Sequence, residues 1–246
     1  MFIPVSTTSP DAFIRYAETG YLASCSPVRF CQVQFNLAAF TEASFDRYDI
    51  SAPSHLLQAV TKRRAEYLAG RYCCATLLAA QQAPTTVPNG ADRAPCWPAG
   101  FSGSLSHCAD RAIALLTRQQ HGWPGIDIES FNGQLMRDTA EMFTSPDERT
   151  SLRAVALDNE AALLLAFSAK ESLYKALYPQ VRRFFGFESA RITAIDVTQH
   201  RFRIALNETL TPALRQGDSF EGEYQFDGSL MTTFLLCRPA SGRYQL

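Results

Sequence analysis

The sequence predicts an α+β protein built as two halves of similar size. Three observations lead there. The chain has 246 residues, 46% of them hydrophobic, which suits one large domain or two of about 120 residues each. Each half holds one long helical pattern, Ser51 to Gln81 and Asp158 to Pro179. Short apolar runs of strand character stand around both helices.

The elements follow in order. Residues 1 to 50 are mixed. Within "VRFCQVQFNL" (Val28 to Leu37) Phe30, Gln32 and Gln34 alternate with Cys31, Val33 and Phe35, the period of a strand. Ser51 to Gln81 reads as one long helix, with Pro53 near its start and Leu57, Val60, Leu68, Leu77 and Leu78 as apolar positions. "APTTVPNGADRAPCWPAG" is a loop, with four prolines and two glycines. Strands are expected at "GSLSHC" and "AIALLT", a turn at "QQHGWPG", then a strand at "IDIES". Ser145, Pro146 and Glu148 form a capping box that announces a helix. The helix that follows is capped by Asp158 and closed by Pro179. The remainder is β-like: "RFRIAL", "SFEGEYQF" and "SLMTTFLLCR", with Asp227-Gly228 as a hairpin turn between the last two.

Composition narrows the function. A net charge of -1 provides no basic field for nucleic acid or an anionic membrane. Seven cysteines without a C-x-x-C pair, and only four histidines, exclude zinc-finger spacing. Unpaired thiols suit a reduced, cytoplasmic setting. The N-terminus lacks the pattern of a signal peptide. The longest apolar run, Ala161 to Phe167, is far short of the roughly 20 residues of a membrane span.

The chemistry gathers on a few carboxylates. On a strand Asp127 and Glu129 share one face, and Ile126 and Ile128 share the other. Two adjacent carboxylates repel, and burial raises that cost. Mg²⁺, a hard cation that takes oxygen ligands, is the natural counterion. Without histidine among the ligands zinc is disfavoured. Taken alone, "IDIE" reads rather as a half-exposed strand with its charges in solvent. In "FSAKESLYK", Phe167, Glu171 and Lys175 lie on one helix face, with Lys170 and Tyr174 on the next ridge. Alone, Glu171 and Lys175 read as an ordinary surface ion pair of about 0.2–0.5 kcal/mol.

Together, "GIDIE" (Gly125 to Glu129) and "FSAKESLYK" resemble the two signature motifs of the 4'-phosphopantetheinyl transferases. Phe167, Lys170, Glu171, Ser172 and Lys175 match every fixed position of the second. In the first, Pro124 replaces the leading aliphatic residue. The length suits the surfactin-type and enterobactin-type group. The resemblance implies a pseudo-two-fold fold of two similar subdomains, 1–124 and 125–246, with the active site between them. The first would contact the nucleotide and phosphates of coenzyme A. The second would carry the metal site and the catalytic helix.

The same resemblance implies the reaction and its residues. The 4'-phosphopantetheine of coenzyme A passes to a serine of an apo acyl or peptidyl carrier protein, releasing adenosine 3',5'-bisphosphate. Asp127, Glu129 and Glu171 would hold Mg²⁺, with Mn²⁺ as the alternative. Glu171 is the expected base, and Lys175 the contact to the transferred phosphate. Lys170 is expected among the coenzyme A contacts. "SGSLSHC" lacks a hydrolase elbow, and on a strand Ser106 and His107 point to opposite faces. In the family a Ser-His pair at this place meets the 3'-phosphate, so Ser106 and His107 take that role. Arg64 and Arg71, on one face of the first long helix, read either as a solvated basic face or, by resemblance, as a grip on the nucleotide phosphate. Arg93 stands where many members have the lysine of Gly-Lys-Pro. "VRRFF" (Val181 to Phe185) and Met142-Phe143 offer surfaces for an acidic, helical carrier, and read equally as core. A monomer suffices. Two rival readings stay open: another Mg²⁺-dependent enzyme of nucleotide diphosphates, and a non-catalytic coenzyme A- or carrier-binding protein.

Overall fold

The structure, a computed structural model, describes residues 1–56 and 58–238. Leu57, expected on the first long helix, lies outside the described residues. The chain divides into two compact units, Met1–His121 and Gly122–Leu246. Both are α+β, and each holds one five-stranded antiparallel sheet. Among the described residues no helix is long and apolar enough to cross a membrane.

The first unit runs β1 (Phe2–Thr8), β2 (Ile14–Leu22), β3 (Cys25–Phe35), α1 (Ala43–Arg47), α2 (Thr61–Ala79), β4 (Phe101–Cys108) and β5 (Arg111–Arg118). Its sheet order is β1-β2-β3-β5-β4. Helix α2 lays Leu68, Leu77 and Leu78 against Ala112, Ala114 and Leu116 of β5. The periodicity does not predict β1 or β2, and β1 is an edge strand exposed along almost its whole length. A strand that buries neither face carries no alternation to read.

The second unit runs β6 (Trp123–Ser130), α3 (Gly133–Phe143), α4 (Pro146–Arg153), α5 (Asn159–Val181), β7 (Ala190–Asp196), β8 (Arg201–Leu206), β9 (Ser219–Phe226) and β10 (Leu230–Cys237). Its sheet order is β6-β10-β9-β8-β7. Leu164, Leu173 and Leu177 of α5 join Ile204, Met231 and Leu235 of the sheet in the core. In each unit the strand before the long helix pairs with the last strand of the unit: β3 with β5, and β6 with β10.

Two helix boundaries differ from expectation. The first long helix begins at Thr61, not at Ser51. Val60 holds ψ at 150°, an extended angle that no helix can pass through, and it is 73% exposed rather than apolar packing. The second runs past Pro179 to Val181. A proline so near the end removes one donor only, and left-handed Arg182, at φ 55°, makes the stop. Asp158 caps as expected, accepting from the amides of Glu160 and Ala161. At Ser145 half of the expected capping box forms, the hydroxyl accepting from the Glu148 amide while the Glu148 carboxylate is engaged elsewhere. The Asp227 carboxylate closes the β9–β10 turn by accepting from the amides of Ser229 and Leu230, and Gly228 takes φ 91°.

Candidate active site

The motif strand β6 lies at the sheet edge, with α5 across one face. Gly125 makes this possible: a Cβ there would collide with the carbonyl oxygen of Ser172. The helix therefore comes close enough for side chains two residues along the strand to reach it. Asp127 is 2% exposed on this same face. Its Oδ1 accepts from Lys175 Nζ at 2.7 Å, and its Oδ2 from Ser168 Oγ at 2.8 Å. Lys175 also donates to the Ile126 carbonyl at 3.1 Å. Thr233, opposite Asp127 in the β10 register, shares its hydroxyl with Ser168 and Ser172 at 2.9 and 2.7 Å. The carboxylate is held in a buried network, not on a wet strand face, and Lys175 is committed across the strand–helix interface.

Glu129 and Glu171 complete the cluster. Burial and then the Asp127 charge push the Glu129 carboxyl up to about 7, with Lys175 opposing and Glu171 adding least. Glu171 is also raised, by burial first and by Asp127, with Lys175 opposing. Among the described residues no three His, Cys, Asp or Glu side chains are arranged to hold a metal ion. The donor chemistry nonetheless fits a hard cation. Three oxygen-bearing groups crowd one another at an energetic cost that positive charge relieves, and the Lys175 ammonium already sits against Asp127 in that capacity.

Lys170, expected at coenzyme A, is placed elsewhere. Its ammonium donates to Glu148 Oε2 at 2.7 Å and to the Phe143 carbonyl at 2.6 Å. Burial pulls its pKa below the ordinary lysine range, against the raising effect of Glu148. The carrier-contact candidates divide: Met142 and Phe184 are exposed, while Phe143 and Phe185 are core.

The first unit gathers a second polar cluster on the α2 side of β4. Leu105 of β4 packs near Gly70 of α2, and His107, two residues on, shares that face. His107 Nε2 lies 2.9 Å from Arg63 Nη1, and Nδ1 lies 3.8 Å from Glu66 Oε2. Arginine can only donate, so Nε2 accepts and the proton of the neutral ring sits on Nδ1. Ser106 is buried on the opposite face. Arg64 pairs with Glu42 at 3.0 Å. Arg71 is buried, donates to Asn89 Oδ1 and stacks 4.8 Å over the Tyr67 ring. The Nε atoms of both arginines are buried without a partner. Arg93 is exposed at φ 66° in a turn where Asp92 accepts from the Ala94 amide. Arg63 was not singled out by the sequence, because it is one of three consecutive basic residues and only the fold shows which of them meets His107.

Crowded carboxylates beside an ammonium in one unit, and an arginine against an imidazole in the other, suit an enzyme that handles phosphate esters. The comparisons with known proteins agree. Residues 52–117 match the 4'-phosphopantetheinyl transferase N-terminal domain, and residues 124–227 match the 4'-phosphopantetheinyl transferase superfamily. The chain is 39% identical over 181 residues to enterobactin synthase component D of Salmonella typhi, covering 72% of this chain and 76% of that protein. It is 32% identical over 214 residues to 4'-phosphopantetheinyl transferase Svp of Streptomyces mobaraensis, covering 82% and 85%. It is 36% identical over 149 residues to 4'-phosphopantetheinyl transferase Npt of Nocardia iowensis, covering 58% and 64%. The chain belongs to the 4'-phosphopantetheinyl transferase superfamily. It is a transferase that moves phosphopantetheine from coenzyme A to carrier proteins.

Proposed function

We propose that the protein primes peptidyl carrier proteins of siderophore-type synthesis, with Glu171 as the base and the Asp127 cluster as the phosphate end of the site. Similarity to enterobactin synthase component D supports this choice of carrier. The carrying observation is the buried network that holds Asp127 and Lys175 within reach of the two raised carboxyls of Glu129 and Glu171.

The carrier serine loses its proton to Glu171, whose raised pKa suits a base working near neutral pH. The serine oxygen then bonds the β-phosphorus of coenzyme A as the bond to the bridging oxygen breaks. Adenosine 3',5'-bisphosphate leaves with that oxygen. Lys175 meets the transferred phosphate. Asp127, Glu129 and Glu171 would hold Mg²⁺, or Mn²⁺, which when bound offsets the charge of the pyrophosphate. His107, with Arg63 beside the imidazole, meets the 3'-phosphate on the α2 side of β4, while the Ser106 hydroxyl is turned to the opposite, buried face. Arg64, Arg71 and Arg93 supply further positive charge to the nucleotide. The unit ending at His121 is the nucleotide subdomain and the unit beginning at Gly122 the catalytic one; the boundary expected at 124 would cut β6. The pairing of β3 with β5 and of β6 with β10, each across a long helix, supports the reading of two similar subdomains in a pseudo-two-fold fold. Met142 and Phe184 are the exposed apolar side chains offered to the carrier. A monomer in the cytoplasm suffices for this reaction.

Mass spectrometry of an apo peptidyl carrier incubated with coenzyme A and Mg²⁺ tests the reading. Wild type adds one phosphopantetheinyl mass, and chelation of the divalent ion stops it. Glu171→Gln abolishes transfer while keeping the wild-type circular dichroism spectrum. Wild-type transfer by that variant removes Glu171 from the role of base.

A further inference from the structure

The Lys170–Glu148 pair takes no part in the reaction just described, yet it is the most deeply buried ion pair among the described residues. The side chains are 3% and 2% exposed. Glu148 does not turn back on its own helix cap, as a capping box would have it. Its Oε1 accepts from the Ile192 amide of β7 at 2.7 Å, and its Oε2 accepts from Lys170. Lys170 in turn donates to the carbonyl of Phe143, the last residue of α3. One pair thereby joins the end of α3, the first turn of α4, the middle of α5 and an edge strand.

Its neighbour in sequence is Glu171. Successive helix residues point about 100° apart, so Lys170 and Ser172 flank Glu171 on either side. Ser172 is bonded to β10 through the Thr233 carbonyl at 3.0 Å and the Thr233 hydroxyl. Lys170 is bonded to α3 and α4. A roll of α5 in either direction breaks one of these attachments. We infer that Lys170 and Glu148 are positioning residues: the pair fixes the roll of α5 and so aims the Glu171 carboxylate at its target. The assignment rests on the reading of Glu171 as base.

The test is steady-state kinetics on Glu148→Gln, with Lys170→Met, the double variant and Glu171→Gln in parallel. Misaiming a catalytic group by about 1 Å costs on the order of 100-fold. Glu148→Gln is expected to lower kcat by about 10- to 100-fold, with KM for coenzyme A within about two-fold of wild type. A pair that only holds the fold together lowers the melting temperature and leaves kcat of the folded enzyme unchanged, which overturns the proposal. A raised KM for coenzyme A in Lys170→Met, beside unchanged kcat in Glu148→Gln, also overturns it and makes Lys170 a substrate contact. If Glu148→Gln does not fold, Glu148→Gln/Lys170→Met decides, because it leaves no lone buried charge. The same kcat loss is expected there, and wild-type kcat refutes the idea. Failure of the Glu171 reading looks different: Glu171→Gln active.

Discussion

Glu129 sits where three carboxylates and one ammonium share a half-buried space, and its pKa near 7 against an ordinary 4.5 has a definite sign. The folded protein favours the protonated form. This contribution to stability is therefore present below pH 4.5 and is lost as pH rises toward 7 and beyond. In metal-free protein the melting temperature is expected to fall between pH 5 and pH 8, and Glu129→Gln to flatten that part of the profile. An unchanged slope in the variant assigns the decline to other groups. Binding of Mg²⁺ is expected to strengthen over the same window, because the proton must leave before an oxygen can become a ligand. At the other cluster, His107→Ala and Arg63→Ala are expected to raise KM for coenzyme A and to leave KM for dephospho-coenzyme A unchanged. Equal effects on both compounds would move these residues away from the 3'-phosphate.

At the scale of elements, the contact of β6 with α5 is set by an atom that is missing. Gly125→Ala puts a methyl group into the Ser172 carbonyl. Backbone cannot step aside as a flexible side chain can, so the helix must move off the strand. A loss of about 3 kcal/mol is expected, together with loss of transfer, since Lys175 and Ser168 reach Asp127 only at this spacing. Urea melts and the carrier assay on Gly125→Ala check both. Wild-type stability would mean that the interface has slack. Lys170 and Glu148 lie on the other side of the same helix, and removing either partner alone is expected to cost about 3–5 kcal/mol through the stranded charge.

Across the molecule, what the sequence shows is what is local. The alternation that puts Asp127 and Glu129 on one face, the caps at Asp158 and Ser145, and the Asp227-Gly228 turn each need only a few neighbouring residues to be read. The α+β class and the two halves follow from such pieces. Other features depended on distant partners. Glu148 reads locally as the third residue of a capping box, and nothing within reach of it in sequence announces Lys170, twenty-two residues on. Thr233 looks like any strand threonine until the register sets it opposite Asp127. Strand β7 was missed because its alternation breaks at the irregularity between Ile192 and Ala194. The exposed β1 carries no pattern at all.

The pairing of β6 with β10 also has a meaning in time. Asp127 emerges early in the synthesis of its unit, and Thr233, which anchors its two serine neighbours, arrives almost last. Strand β6 has β10 as its neighbour in the sheet, so it must wait unpaired while α3, α4, α5 and three further strands leave the ribosome. A nascent chain can hold every signature residue and still lack the network that arranges them. A chain that stops before β10 lacks Thr233 and with it this network, and it is expected to leave an apo carrier unmodified in the mass-spectrometric assay.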